Sequence, residues 1–198
     1  MPAPAKVTPE ALRSTGREVL ERDGLPGLTM QSVATALGVR APSLYKHVRD
    51  RDDLVRVVAE DVAEELGGHL DRALARSGDA ADAARTLAAS ARRFAREHPH
   101  GYGLLFGPLP DGARVRGSAL ERSSLALLEV ARRLAGEAEA LEAARTLTAW
   151  MHGFTTMELA GAFRLGGSVD EAWAYGLEHL IRGLGAAGPG VSGPAPSP

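Results

Sequence analysis

Residues 39–54, VRAPSLYKHVRDRDDL, concentrate side chains that bind anions. Tyr45, Lys46 and His47 stand side by side, which makes a phenol, an amine and an imidazole available for hydrogen bonding. Between residues 38 and 51, four basic residues stand against one acidic residue: Arg40, Lys46, Arg49 and Arg51 against Asp50. Local positive charge of this kind suits a polyanion such as nucleic acid, although a charged run often only coats a solvated surface.

These side chains are predicted to lie on a short third helix that begins at Pro42 and ends near Val48. An isolated helix of this length is not stable in water, because helices below roughly 12 residues are marginal. On an α-helical wheel Leu44 and Val48 share one face, which we expect to pack on neighbouring helices. The residues on the opposite face are Pro42, Ser43, Tyr45 and Lys46. A narrow, convex, polar face of this kind fits the major groove of DNA.

The preceding segments must position this third helix. Thr8 is predicted to cap a first helix that stops at the turn sequence DGLPG, and Thr29 to cap a second helix that ends at Gly38. Asp50 is predicted to cap a long fourth helix. A helix, a sharp glycine turn and a helix with polar outward residues form the helix-turn-helix arrangement, here over residues 29–48.

The remainder of the chain also predicts helices, so the expected fold class is all-α, with about nine helices in total. The predicted ranges are Ala80 to Glu97, Gly101 to Phe106, Asp111 to Ala135, Glu137 to Leu165 and Ser168 to Leu184. The expected parts are a helix-turn-helix domain over residues 1–54, a larger helical domain over residues 55–186 and a disordered tail over residues 187–198.

The segment GLTMQSVATALGVRAPSLYKHVRDRDDL resembles the DNA-binding signature of the TetR family of transcriptional regulators. Its most specific part is LGV followed by SLYKHV, and the resemblance extends from Thr8 to about Arg56. The chain departs from the family at Gly16, where alanine is more usual, and at Val48, which replaces a common phenylalanine. Because a glycine costs roughly 1 kcal/mol against alanine inside a helix, we expect Gly16 to let another helix approach closely.

The resemblance implies a set of DNA contacts. Thr29 would contact phosphate at the start of the second helix, and Gln31 would reach a base edge. Tyr45 and Arg51 would contact phosphate. His47 would do the same, although a partly buried packing role is an equal alternative for this residue. The groove-facing residues implied by the resemblance are Arg40, Ala41, Pro42, Ser43 and Lys46.

The helix predicted over residues 137–165 carries two apolar stripes. A helix that is apolar on more than one side must be buried on more than one side. One face is therefore expected to pack within its own domain and the other against a second subunit. The predicted dimer interface consists of Leu159, Phe163, Trp173, Leu177 and Leu180. The sequence leaves open which face serves which purpose.

The segment WMHGFTTMELAGAF resembles the WHG-type C-terminal domain found in a branch of the TetR family, and REHPHGYGLLFGP before it fits the same branch. The resemblance implies that the larger domain is regulatory and holds a small molecule in a cavity. Ordinary core packing is the competing explanation for every apolar residue in this set. The implied ligand-binding residues are Phe94, His98, Tyr102, Leu105, Phe106, Met151, Phe154, Met157 and Glu158, with His152 as a further polar candidate.

The function implied by the resemblance is that of a homodimeric repressor of nearby genes. It would be released from a palindromic DNA operator by a small-molecule effector. The alternative is a dimeric helical ligand-binding scaffold that does not bind DNA. An enzyme is not expected, because the chain has no cysteine, no glycine-rich phosphate loop and neither the G-x-S-x-G nor the HExxH pattern. No cofactor or bound metal is expected.

The composition favours a cytoplasmic protein. The absence of cysteine excludes disulfide bonds, which is typical of intracellular chains. The N-terminal sequence MPAPAKVTPE lacks the apolar segment of a signal peptide, and no apolar run reaches the length of a membrane-spanning helix. We therefore expect no membrane partner.

Overall fold

The structure is a computed structural model that describes residues 7–109, 111–114 and 118–186. Within these ranges it consists of helices without β-strands, which confirms the expected all-α fold. The α-helices are α1 (Pro9–Gly27), α2 (Met30–Ala36), α3 (Arg51–Ala75), α4 (Ala80–Glu97), α5 (Pro99–Phe106), α6 (Ser118–Ala135), α7 (Ala140–Leu159) and α8 (Val169–Ala186). The short 3₁₀ helices are Ala41–Lys46, Asp111–Ala113 and Glu137–Glu139. The tail expected over residues 187–198 lies outside the described residues.

Side-chain caps fix where the first two helices begin. Thr8 Oγ1 accepts a hydrogen bond from the Ala11 amide (3.1 Å) at the start of α1. At the start of α2, Thr29 Oγ1 accepts from the Ser32 amide and Ser32 Oγ accepts from the Thr29 amide, each at 3.0 Å. These reciprocal bonds form a capping box, which satisfies amides that have no partner inside the helix. Both N-caps predicted from the sequence are confirmed.

The end of α1 is kinked within the predicted stop sequence DGLPG. Gly24 has a φ of 69°, a left-handed conformation that glycine adopts without steric cost. Pro26 lies inside the last turn and has no backbone N–H group to donate to a carbonyl of the preceding turn. As a consequence, the carbonyl groups at this end of α1 need hydrogen-bond donors from elsewhere in the protein.

The third helix is a 3₁₀ helix, Ala41–Lys46, so the prediction of an α-helix from Pro42 to Val48 is wrong. The Ser43 amide donates to the Arg40 carbonyl (2.9 Å), and the His47 amide donates to the Leu44 carbonyl (2.8 Å). The physical reason is length, since 3₁₀ hydrogen bonding is used in short segments with few i→i−4 bonds. This element is called the 41–46 helix below.

The helix α3 begins with the cap that the sequence predicts and packs closely on α1. Asp50 Oδ1 accepts a hydrogen bond from the Asp53 amide (2.8 Å). A Cβ atom built on Gly16 of α1 would lie only 2.6 Å from Cγ2 of Val58 in α3. The glycine that was expected to permit close helix packing therefore does so.

Replacement of Gly16 with alanine is expected to destabilise the protein by about 1–3 kcal/mol, because the added methyl group overpacks against Val58. The better helix propensity of alanine, roughly 1 kcal/mol, offsets only part of this loss. The matched control is Gly103→Ala in α5, where a Cβ meets no atom of the described residues within 4 Å. Urea unfolding should separate the two variants, and equal free energies of unfolding would contradict close packing at Gly16.

The helix α7 ends at Leu159, so the prediction that it continues to Leu165 is wrong. Gly161 adopts a φ of 62°; its own amide donates to the Glu158 carbonyl and the Ala162 amide donates to the Met157 carbonyl, both at 2.9 Å. This arrangement is a Schellman motif, which terminates helices at a left-handed glycine. Phe163 therefore lies in the following loop, where its ring centroid is 4.7 Å from that of Phe154.

The described residues form two compact units. Unit 1 contains those up to Asp71 together with Ala91–Ser124, and unit 2 contains Arg72–Ser90 together with those from Leu125 onwards. Large buried side chains of unit 1 include Leu12, Leu20, Leu28, Leu44, Leu54 and Phe94, and those of unit 2 include Leu147, Met151, Trp173 and Leu177. The predicted domain boundary at residue 54 follows sequence motifs and stays a prediction. No helix in the described ranges has the length and apolar composition that a membrane span requires.

Candidate nucleic-acid interface

The 41–46 helix exposes one polar face and buries one leucine. Leu44 is completely buried (0% exposed), and Val48 just beyond the helix is 2% exposed. Tyr45 is 57% exposed, and Lys46 and His47 are also exposed. Burial of Leu44 and Val48 holds a helix that could not be stable alone, while the polar side chains remain accessible to a ligand.

The residues predicted to face the DNA groove lie on this accessible surface. Pro42 and Arg40 are exposed, and Ala41 and Ser43 are half-buried. The exposed His47 side chain disfavours the alternative in which this residue packs in the interior. The structure thus brings the predicted residues of the third helix together on one surface, although the helix has 3₁₀ rather than α geometry.

The start of α2 holds two further predicted contacts. Gln31 is exposed, and its Nε2 donates to Thr35 Oγ1 (3.3 Å). Thr29 is half-buried, and its Oγ1 lies 2.9 Å from Ser32 Oγ within the capping box. The Thr29 side chain therefore has a structural role at the N-cap in addition to any contact with DNA.

Arg51 has a different environment from the one that the resemblance implies. Its Nε donates to the Leu28 carbonyl (2.9 Å), and its Nη2 donates to the Leu25 carbonyl (2.7 Å). The side chain of Arg51 is thereby engaged by the end of α1. Its predicted phosphate contact stays a prediction.

Asp53 supports the turn between the 41–46 helix and α3. Its carboxylate accepts hydrogen bonds from the Arg49 amide (3.0 Å) and from Nε of Arg56 (3.1 Å). The hydrogen bond from the Arg49 backbone is the main cause that lowers the pKa of Asp53 to about 2, and Arg56 adds to this shift. The side chain is buried (8% exposed), so the charge is well shielded from solvent. The last turn before α3 is therefore fixed by a charged residue that stays ionised.

Protonation of Asp53 is expected to weaken the fold in acid. Because its folded pKa of about 2 lies below the ordinary value of 3.8, its stabilising effect is present above pH 3.8 and is lost as the pH falls through 2. Asp53→Asn should lower the free energy of unfolding at pH 7 by about 2 kcal/mol. The difference from the wild type should shrink when urea unfolding is repeated below pH 3.

The control for this prediction is Asp52→Asn, because the Asp52 carboxylate accepts neither of the bonds from Arg49 and Arg56. It should change the free energy of unfolding by less than about 0.5 kcal/mol at pH 7. A pH-independent difference between Asp53→Asn and the wild type would contradict the role given to the ionised carboxylate.

Glu21 of α1 caps the N-terminus of α5. Its Oε2 accepts from the His100 amide (3.1 Å), and its Oε1 accepts from the Gly101 amide (2.8 Å). The local N-cap, His98, makes no side-chain capping bond of its own. A carboxylate is favourable at a helix N-terminus, where amides are unpaired and the helix dipole is positive. α1 and α5 are therefore joined by charge-assisted hydrogen bonds inside unit 1.

The predicted ligand-binding residues fall into the two units. Phe94, His98, Tyr102, Leu105 and Phe106 belong to unit 1, and Met151, Phe154, Met157 and Glu158 belong to unit 2. In unit 1 the Phe94 ring is 4.9 Å from that of His98, and the Tyr102 ring is 4.9 Å from that of Phe106. Burial raises the pKa of Tyr102 to about 12, so this phenol stays protonated. Burial also lowers the pKa of His152 in unit 2, which favours the neutral imidazole.

Unit 1 contains a cleft of about 500 Å³ between the end of α1 and α5. Its walls include Leu25 and Pro26 on one side and His100 and Leu104 on the other. The predicted ligand-binding residues are not among those that line it. The cleft therefore does not correspond to the cavity that the resemblance implies.

The predicted dimer residues differ in their accessibility. Leu159 is 40% exposed and Phe163 is 37% exposed, so both are accessible to a partner. Trp173 and Leu177 are buried within unit 2, and Leu180 is half-buried. The Trp173 ring packs against Trp150 at a centroid distance of 4.8 Å. Trp173 and Leu177 therefore offer little surface of their own for an interface.

The structural hydrogen bonds of three residues in unit 1 were not anticipated from the sequence. Ser32 completes the capping box, and the pattern of Thr29 with serine three positions later is a signal that could have indicated it. Asp53 and Glu21 act through hydrogen bonds to backbone amides. Glu21 bonds to amides about eighty residues further along the chain, so no local pattern indicates its partner.

The short exposed helix, the glycine turn before it and the capped helix α2 define a helix-turn-helix DNA-binding protein. Comparison with known proteins identifies the family. Residues 12–58 match the model described as bacterial regulatory proteins, tetR family, and residues 84–180 match the tetracyclin repressor-like C-terminal domain. An uncharacterized HTH-type transcriptional regulator of Mycobacterium tuberculosis is 34% identical over 166 residues, which cover 80% of this chain and 73% of that protein. The chain belongs to the TetR family of transcriptional regulators.

Solved structures have the same fold. A protein of unknown function from Rhodococcus is 26% identical, with a TM-score of 0.74, and the match covers 89% of this chain and 95% of that one. A TetR variant from Acinetobacter baumannii in complex with minocycline is 21% identical, with a TM-score of 0.68 over 90% and 96% of the two chains. TetR-family proteins are regulators with a DNA-binding domain and a ligand-binding domain, and they are not enzymes.

Proposed function

We propose that the protein is a homodimeric repressor that binds a palindromic operator and leaves it when a small molecule binds. The observation that carries this proposal is the exposed polar face of the 41–46 helix, held from behind by the buried Leu44. Two such helices in a symmetric dimer would enter successive major grooves on one side of the DNA.

The DNA contacts of the proposal divide into two kinds. Lys46 and Pro42 would face base edges, with Gln31 at the start of α2 reaching a further base edge. Contacts with phosphate position the protein, and contacts with base edges give it specificity. The remaining proposed contacts are Thr29, Arg40, Ala41, Ser43, Tyr45 and His47.

The proposed dimer interface lies at the end of α7 and the loop after it. Leu159, Phe163 and the fully exposed Leu165 present apolar surface there, and Tyr175 of α8 is 68% exposed. Exposed apolar surface of this kind marks a site of association. The residues Trp173, Leu177 and Leu180 would support this surface from within unit 2. Sedimentation as a monomer at micromolar concentration would contradict the dimer.

The proposed effector is a small molecule that binds among the later helices. A TetR variant of the same fold was solved in complex with minocycline, which supports a small-molecule ligand for this chain, although the identity of the ligand does not transfer. The effector would lower DNA affinity if it bound preferentially to a conformation in which the two 41–46 helices no longer match successive grooves.

The experiment that tests the proposal is selection of genomic DNA fragments by the purified protein. We expect the recovered fragments to share an imperfect palindrome whose half-sites are about 10 base pairs apart, or slightly more, next to the target genes. Recovery of fragments without a shared sequence would contradict sequence-specific binding. It would favour the competing proposal of a dimeric scaffold, for which alanine at both Tyr45 and Lys46 should have no consequence.

A further inference from the structure

We propose that Arg51 is a positioning residue that holds the start of α2, and that it does not serve as a phosphate ligand. The inference rests on the proposed DNA-binding function. Its basis is the pair of hydrogen bonds from the Arg51 guanidinium to the Leu28 and Leu25 carbonyls, at 2.9 and 2.7 Å. Both bonds connect the first residue of α3 to the end of α1.

The end of α1 lacks a cation of its own. Its last turn contains no basic residue, and the kink at Gly24 and the proline at position 26 interrupt the regular hydrogen-bond ladder. Carbonyl groups at a helix C-terminus carry a partial negative charge and favour a cation nearby. Arg51 supplies this cation from α3 and donates to the Leu28 carbonyl and to the Leu25 carbonyl, which also accepts from the Leu28 amide at 3.3 Å.

The Leu28 carbonyl lies directly before α2. Leu28 is completely buried and precedes Thr29, the N-cap of α2. On the other side, Ser32 Oγ donates to the Gly27 carbonyl at 2.7 Å. Residues 27–29 are therefore held between Arg51 and Ser32. A change in this turn would move Thr29 and Gln31 together.

The planar guanidinium is suited to this role. Arg51 uses Nε and Nη2, two donors in a fixed fork, for carbonyls three positions apart in the chain. The ammonium of lysine is a compact point charge and cannot reproduce the fork. Arg51→Lys therefore preserves the charge while it removes the paired geometry. A phosphate contact, by contrast, would tolerate lysine.

The first measurement is amide hydrogen exchange of the free protein without DNA. In Arg51→Lys and Arg51→Met, the amides of residues 29–36 should exchange about 10- to 100-fold faster than in the wild type. The reason is that both variants lose the paired, charge-assisted hydrogen bonds of the guanidinium. Unchanged exchange in both variants would overturn the proposal. Because no DNA is present, this result does not depend on whether the chain binds an operator.

The second measurement is the salt dependence of binding to the selected DNA. Both Arg51 variants should bind more weakly than the wild type at every salt concentration, with the same slope of log K against log salt. The slope should persist because Thr29 and Gln31 carry no charge, so their displacement releases no counterions. If the magnitude of the slope decreased by about 0.9 in Arg51→Met but not in Arg51→Lys, the proposal would be overturned, because a decrease of this size corresponds to the loss of one phosphate contact.

Arg40→Ala is the control for this slope. Its exposed side chain is proposed to face DNA, so its removal should decrease the magnitude of the slope if the guanidinium neutralises a phosphate. A wild-type protein that binds selected and scrambled DNA equally would contradict the proposed function. The exchange result would then still decide whether Arg51 holds the start of α2.

Discussion

Leu44→Ala is expected to lower the free energy of unfolding by about 2–5 kcal/mol, which is the usual cost of removing a fully buried leucine. Leu44 is 0% exposed, and its carbonyl accepts hydrogen bonds from the amides of His47 and Val48. The 41–46 helix has no other completely buried side chain, so its position depends on this one. Specific DNA binding should be lost together with stability. Urea unfolding and operator binding measure the two effects.

The control variant lies one position further along. Tyr45 is 57% exposed, so Tyr45→Ala should change the free energy of unfolding by less than about 0.5 kcal/mol while it weakens DNA binding. Substitution of the buried residue should therefore reduce stability and DNA binding together, whereas substitution of the exposed residue should reduce DNA binding alone. If Leu44→Ala retained full stability, the 41–46 helix would not be held by its buried leucine.

Phe94→Ala is expected to destabilise the protein by about 3–5 kcal/mol, because the substitution leaves a cavity at a residue that is only 1% exposed. The Phe94 ring lies 5.6 Å from the His69 ring and 4.9 Å from the His98 ring, and Cζ of Arg17 is 5.7 Å from its centroid. Loss of the ring would also remove a cation–π contact for the buried Arg17. Thermal and urea unfolding measure the loss.

Phe106→Ala is the matched control, since Phe106 is 43% exposed and should cost less than about 1 kcal/mol. Comparison of the Phe94→Ala and Phe106→Ala variants also shows whether a predicted ligand-binding residue acts in core packing or in ligand binding. If Phe94→Ala kept its stability but no longer responded to the effector, the core-packing role of Phe94 would be wrong and its role as a cavity wall would gain support.

Local sequence patterns predicted helix starts well. Thr8, Thr29 and Asp50 each cap a helix in the structure, because a cap depends on a side chain and an amide three residues away. Ser168 Oγ likewise accepts from the Glu171 amide before α8. The exposure of Pro42, Tyr45 and Lys46 was also predicted correctly, since burial of Leu44 and Val48 decides which face remains accessible, whereas Ser43 is half-buried.

Helix type and helix ends were harder to predict. Over six residues, α and 3₁₀ geometry place a buried leucine and its exposed neighbours in much the same way, so the pattern did not separate them. The stripe formed by Leu159 and Phe163 continues at helical spacing past Gly161, although the glycine ends α7. Phe163 still contacts Phe154 from the loop, with the two ring centroids 4.7 Å apart.

Long-range hydrogen bonds could not be predicted from the sequence. Arg51 bonds to carbonyls of residues 25 and 28, and Glu21 bonds to the amides of His100 and Gly101. Each pair forms only after helices distant in sequence have packed. The family resemblance implies a phosphate contact for Arg51, but a motif does not indicate which backbone carbonyls the same side chain binds within the folded protein.

The most direct test of the account is fluorescence anisotropy with an operator fragment from the selection experiment and a scrambled duplex of equal composition. At physiological salt, the wild-type protein should bind the operator about 10³-fold more tightly than the scrambled duplex, or better. Lys46→Ala should weaken operator binding by about 1–3 kcal/mol and reduce the discrimination. Equal affinity of the wild-type protein for the two duplexes would contradict sequence-specific recognition by the 41–46 helix.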